Sequence, residues 1–64
     1  MTETMRKIKN IVYMFGWTQR EFADKVGTTE VSVSRWFNGT RQPNIRWVER
    51  MIDVLGMELQ IHKR

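Results

Sequence analysis

The sequence predicts an all-α chain of four helices carrying a short strand-like tail, and three observations predict it. Apolar residues recur at helical spacing in each longer segment, glycines fall where those segments stop, and threonine or asparagine stands where the next helix begins. Sixty-four residues leave room for one domain, 1–64. A chain of that size buries only about 60% of its unfolded surface, so its core energy is marginal and a second subunit or a ligand would add to it.

The first helix is marked by Ile8, Ile11, Val12 and Phe15 at i, i+3, i+4 and i+7, with Gly16 as its stop. Thr18, Gln19, Arg20 and Glu21 then fit a capping box, in which the threonine hydroxyl accepts from the backbone three residues on and the glutamate reaches back. Trp17 and Phe22 flank the box as its hydrophobic staple. The second helix is therefore expected over 18–26, with Phe22, Ala23 and Val26 inward and Gly27 ending it. Thr28 or Thr29 caps the next helix, so the connection is only a few residues long, which is helix-turn-helix spacing. That third helix is expected over 30–37, before Asn38 and Gly39.

After the loop Thr40 to Pro43, Asn44 caps a fourth helix expected over 45–55, with Ile45, Val48, Ile52 and Leu55 as its inward stripe and Gly56 as its end. In the tail 57–64, Met57, Leu59 and Ile61 alternate with Glu58, Gln60 and His62, the period of a half-buried strand. No other segment offers that strand a partner. It is expected to pack irregularly on the helices or to pair with its copy in a second subunit.

Lysine and arginine total 11 against 7 acidic residues, a net charge of +4 and a pI near 10.1. That balance favours a polyanionic partner without naming it. There is no cysteine, hence neither a disulfide nor a thiolate zinc site, and the chain is compatible with a reducing cytosol. The longest apolar run, Ile11 to Phe15, is far below the roughly 20 residues of a spanning helix, and no signal-peptide pattern precedes it. A cytoplasmic protein without membrane contact or cofactor is expected. The sole histidine, His62, has no nucleophile or metal-ligand cluster beside it, which argues against an enzyme.

On a wheel of 100° per residue the third helix sets Val33, Trp36 and Phe37 on one side and Val31 and Arg35 on the other, with Ser32 and Ser34 beside them. The outward side suits base edges. Arg35 can give two hydrogen bonds to guanine, Val31 can touch a thymine methyl, Ser34 can donate or accept, and Glu30 can accept from cytosine N4. Around it stand groups suited to phosphate: Gln19, Thr29 and Ser32 at helix starts, then Asn38, Thr40, Arg41 and Gln42 just beyond the third helix.

From Trp17 onward the residues WTQREFADKVGTTEVSVSRWFNGTRQPNIRWVERMIDVLG resemble the lambda-repressor/Cro-type helix-turn-helix family, also called Xre-like. The likeness lies in T-Q-x-E-x-A, the Gly27 turn, V-S-x-W-x-N-G and R-x-P-N taken in order, and it covers about two-thirds of the chain. It implies a compact domain of four to five helices whose third helix enters the major groove of double-stranded DNA, commonly as a homodimer on a pseudo-palindromic operator with half-sites roughly 34 Å apart. Carried over by position, Gln19 and Asn38 would hold phosphates, and Glu30, Val31, Ser34 and Arg35 would face bases. The sequence departs from the family in two ways: Val12, Tyr13, Met14 and Phe15 stand where members usually carry charge, and the effector or cleavage domain of the longer repressors is not expected after the fourth helix. Short members with such a tail resemble Cro-like phage regulators and antitoxins, the latter implying a toxin partner.

Trp47, Met51 and Val54 form a second stripe on the fourth helix, a candidate dimer interface with core burial as its alternative. Leu59 and Ile61 of the tail are a second candidate. The competing functional class is a protein-interaction module that uses the apolar faces of the first and fourth helices, through Tyr13 and Trp47, without specific DNA binding.

Overall fold

In the computed structural model the backbone of residues 3–62 and the side chains of residues 3–59 are described. Among the described residues there are four α-helices and no strand: α1 Glu3–Met14, α2 Gln19–Val26, α3 Glu30–Asn38 and α4 Ile45–His62.

The capping box forms as the sequence predicts. Glu21 N–H donates to Thr18 Oγ1 at 3.0 Å, and Thr18 N–H donates to Glu21 Oε1 at 2.8 Å. Trp17 and Phe22 lie with ring centroids 6.2 Å apart, which fixes the angle at which the chain enters α2. Lys25, one turn on, holds its ammonium 4.8 Å from the Trp17 ring centroid. At the far end Gly27 takes φ 91°, and the N–H groups of Gly27 and Thr28 both donate to the Ala23 carbonyl, at 2.8 and 2.9 Å. The chain therefore stops and turns within two residues.

That turn is also where a distant helix arrives. Arg50 of α4 donates from Nε to the Val26 carbonyl at 2.6 Å, satisfying one of the acceptors that a helix C-terminus leaves unpaired. A Cβ on Gly27 would sit 3.2 Å from Arg50 Nη2. Glycine is thus required here twice, by the left-handed backbone and by the guanidinium lying over it.

Phe22 of α2 and Phe37 of α3 stack at 5.9 Å and are fully buried, so the two short helices are joined through their largest side chains. Met5, Ile8 and Val12 of α1 close one side of this pair, and Met51 and Leu55 of α4 close another. Val26, Val33 and Trp36 complete the core. Each fully buried large side chain contributes about 1.5–3 kcal/mol, and aromatic stacking adds to that.

The structure corrects the expected C-terminal region. α4 does not end at Gly56 but continues to His62, so the strand-like tail does not form. Gly56 lacks the left-handed φ of Gly16, Gly27 and Gly39 and sits inside the helix. A lone strand would leave its backbone groups without a ladder, whereas a helix pairs them within itself, and period 2 over so few residues does not exclude it. The inward stripe of α4 also differs from the expected one. Met51 and Leu55 are buried, with Trp47, Val48 and Val54 packed against them, while Ile45 and Ile52 are 69% and 49% exposed. The core thus draws on the stripe Trp47, Met51, Val54, and Met51 has no surface to offer a partner in this fold.

Candidate nucleic-acid interface

The interface is set by how α3 begins and ends. Thr29 caps it by accepting from Ser32 N–H at 3.2 Å, and its hydroxyl donates to Ser32 Oγ at 3.1 Å. The Thr29 proton is engaged there, so of this pair Ser32 carries the hydroxyl proton that can reach an anion. At the other end Gly39 has φ 81°, and the Arg35 carbonyl accepts from the N–H groups of Gly39, Thr40 (3.0 Å) and Arg41 (3.2 Å). One carbonyl holds the start of the loop against the end of the helix.

Asn38 reinforces that closure. Its Oδ1 accepts from Thr40 N–H at 2.9 Å and also from the Thr40 hydroxyl. The Asn38 oxygen and the Thr40 proton are therefore occupied locally, and what Asn38 has to offer a phosphate is its amide N–H pair. Asn44 caps α4, accepting from Trp47 N–H at 3.0 Å.

α3 divides along its length as its wheel predicts. Val33, Trp36 and Phe37 are buried, and Val31, on the opposite side, is 58% exposed. Glu30 and Arg35 are exposed and Ser34 is half-buried. These four line one open recess together with Gln19, the first residue of α2. A second recess lies on the other side of Arg35, lined by Ser32, Arg41, Gln42, Pro43 and Asn44 over the indoles of Trp36 and Trp47. Arg35 borders both. The sequence-derived base group and most of the phosphate group are thus contiguous, with Arg35 as the shared wall, while Thr40 and Asn38 are exposed just beyond it.

No charged side chain is buried among the described residues. The arginines at this face stand at the surface, where their charge acts at range and is screened by salt. Glu30 stands in the first turn of α3, where the helix dipole favours an acid.

Three neighbours of the site were not anticipated as such. Pro43, Asn44 and Trp47 line the second recess. Trp47 packs its ring 5.7 Å from that of Trp36 and so forms part of the floor beneath the loop. The capping signal of Asn44 was present in the sequence; the pairing of two tryptophans 11 positions apart was not.

The candidate dimer residues are scattered. Met51 is buried, Trp47 and Val54 are half-buried against the core, and Leu59 is 52% exposed. The Ile61 side chain lies outside the described residues. No described helix is long and apolar enough to cross a membrane.

A family model described as helix-turn-helix matches residues 8–61. No curated protein and no solved structure gives a significant match to the chain.

Proposed function

Because the chain belongs to the lambda-repressor/Xre-type helix-turn-helix family, a family of DNA-binding regulators, we propose that it binds double-stranded DNA sequence-specifically with α3 in the major groove. Glu30, Val31, Ser34 and Arg35 face base edges. Gln19, Ser32, Asn38, Arg41 and Gln42 hold the flanking phosphates, with Thr29 and Thr40 shaping the backbone that presents them. In this role the protein is a small transcriptional regulator of the repressor or antitoxin type, acting as a homodimer on paired half-sites.

The observation that carries the proposal is the division of α3. Its inward residues are buried in the core, and its outward residues, including a valine that is 58% exposed, share one recess with Gln19, with Arg41 lining the recess on the other side of Arg35. An exposed Val31 is ordinary on its own. Beside Arg35 and Ser34 it completes a set that can read a thymine methyl and a guanine edge together.

Selection from random duplexes, followed by affinity measurements across a salt series, tests it. Affinity is expected to fall steeply with salt, with log K tracking the number of phosphates neutralised. Arg35→Ala is expected to relax preference at one base position by about 1–3 kcal/mol, whereas Arg41→Ala weakens all sequences alike and lowers the salt slope. Unselective binding by the unaltered chain, or an Arg35→Ala variant with unchanged preference, would overturn the proposal.

A further inference from the structure

The turn from α2 into α3 runs only from Gly27 to Thr29, and Thr29 is the residue that caps α3. Gln19 at the start of α2 and Glu30, Val31, Ser34 and Arg35 on α3 line one recess, so the angle at this turn decides whether both helices meet one duplex together. Phe22 against Phe37 joins the two helices, but apolar packing is non-directional.

Arg50 supplies the direction. Its Nε–H meets the Val26 carbonyl at 2.6 Å, and its Nη2 stands 3.2 Å from where a Gly27 Cβ would be, so the guanidinium bears on both residues at which the chain leaves α2. Asp53, three residues on along α4 and lining the same recess, is the ordinary ion-pair partner for an arginine at this spacing. That pair does not form; the guanidinium goes to a carbonyl 24 residues away instead. The other contacts of α4 with the α2–α3 pair described above, through Met51, Leu55 and Trp47, are apolar.

We propose that Arg50 is a positioning residue for DNA recognition, fixing α3 relative to α2 by hydrogen-bonding the end of α2 without itself touching DNA. The recognition it serves rests on the DNA-binding proposal; the hold on the turn does not. What counts at position 50 is then a donor at the place of Nε, not the charge beyond it. Glutamine carries an N–H donor on Nε2, as many bonds from Cα as the arginine Nε. Lysine has a methylene at that place and its charge one bond further, and methionine has a methyl and no donor.

Two measurements on the full chain test this, both at a temperature where circular dichroism shows the helix content kept. One is affinity for a selected duplex across a salt series; the other is the residual dipolar couplings of α2 and α3 amides without DNA. Arg50→Met and Arg50→Lys are expected to lose about tenfold in affinity, alike for all sequences, as coupling through a linking contact would give. Their salt slopes stay as in the unaltered chain, since no phosphate contact is lost. In the free protein their α2 and α3 couplings no longer fit the frame of the unaltered chain. Arg50→Gln is expected to restore most of the affinity and the frame.

A merely structural role lowers the melting temperature and leaves both the frame and the affinity of the folded variants unchanged, which would overturn the proposal. So would rescue by lysine and not glutamine, a loosened frame with unchanged affinity, or a lower salt slope, the mark of a direct phosphate contact. Should Arg50→Met not fold, the glutamine and lysine variants decide, and equal behaviour of the two overturns it. An unaltered chain without salt-dependent duplex binding removes the DNA reading alone, and the frame of the lysine variant then still tests the hold of Arg50 on the turn.

Discussion

In α2 and α3 each boundary is marked by a side chain or a glycine within the same few residues, whereas α4 runs through a glycine and has its faces assigned by helices distant in sequence. The first pair is held by Thr18, Glu21 and Gly27, then by Thr29 and Gly39, all acting over five residues or fewer. α4 shares only its first turn with that pattern, through Asn44. Beyond it, which apolar residues turn inward depends on where α1, α2 and α3 leave space. Local chemistry thus fixes where a helix lies, and tertiary packing fixes which of two apolar stripes it buries.

The sharpest way to break this comparison uses two adjacent residues of α4. Met51 is fully buried, and Ile52 is half exposed. Met51→Ala is expected to cost about 2–5 kcal/mol, enough to unfold a large share of so small a domain. Ile52→Ala is expected to change stability by less than about 0.5 kcal/mol at concentrations where the chain is monomeric. Urea unfolding of the two variants checks this, and the reverse order would restore the stripe Ile45, Val48, Ile52, Leu55 as the core.

Glycine offers a second contrast, smaller and opposite in sign at its two ends. Gly27→Ala places a side chain at φ 91° and against Arg50, and is expected to destabilise by about 1–2 kcal/mol. Gly56→Ala, in open space inside a helix, is expected to stabilise the dilute monomer by about 0.5–1 kcal/mol. Thermal unfolding of both variants reads the signs directly. If both destabilise, Gly56 is a helix stop after all.

These contrasts also explain what was legible in the sequence. The caps of α2 and α3, the stops at Gly27 and Gly39 and the two sides of α3 were readable because each depends on spacing within one turn or two. The sequence set Gln19 with the phosphate group and Glu30, Val31, Ser34 and Arg35 with the bases, and only the packing of α2 on α3 shows that all five line one recess. The hydrogen bond from Arg50 to Val26 was not readable, since the two lie 24 residues apart and nothing local to either announces the other. The same holds for Trp36 against Trp47. In α4 the misleading signal was Gly56, which resembles the three glycines that do end helices and differs from them only in its φ.

The smallest expected effect tests the local side of the comparison at its best-defined cap. Hydrogen bonds from the Thr18 backbone and then its side chain, aided by the charge of Lys25, outweigh slight desolvation and hold the Glu21 carboxyl below its usual pKa. A carboxyl whose pKa is lower in the folded chain stabilises the fold above the unfolded pKa and loses that contribution as pH falls through the folded one. The loss therefore belongs to the acid side of the ordinary carboxylate range, not to neutral pH. Glutamine at this position keeps an acceptor for Thr18 N–H but removes the titration. Glu21→Gln is thus expected to be slightly less stable than the unaltered chain at pH 7, and by less than Thr18→Ala, which removes the cap itself. Below the carboxylate range the difference is expected to close, because a protonated glutamic acid and a glutamine then offer the cap similar neutral acceptors. Melting temperatures of both proteins from pH 7 to pH 2 measure the gap. A gap that keeps its size in acid would mean that the box holds α2 by shape alone, and that the charge on Glu21 adds nothing to the helix start that positions Gln19.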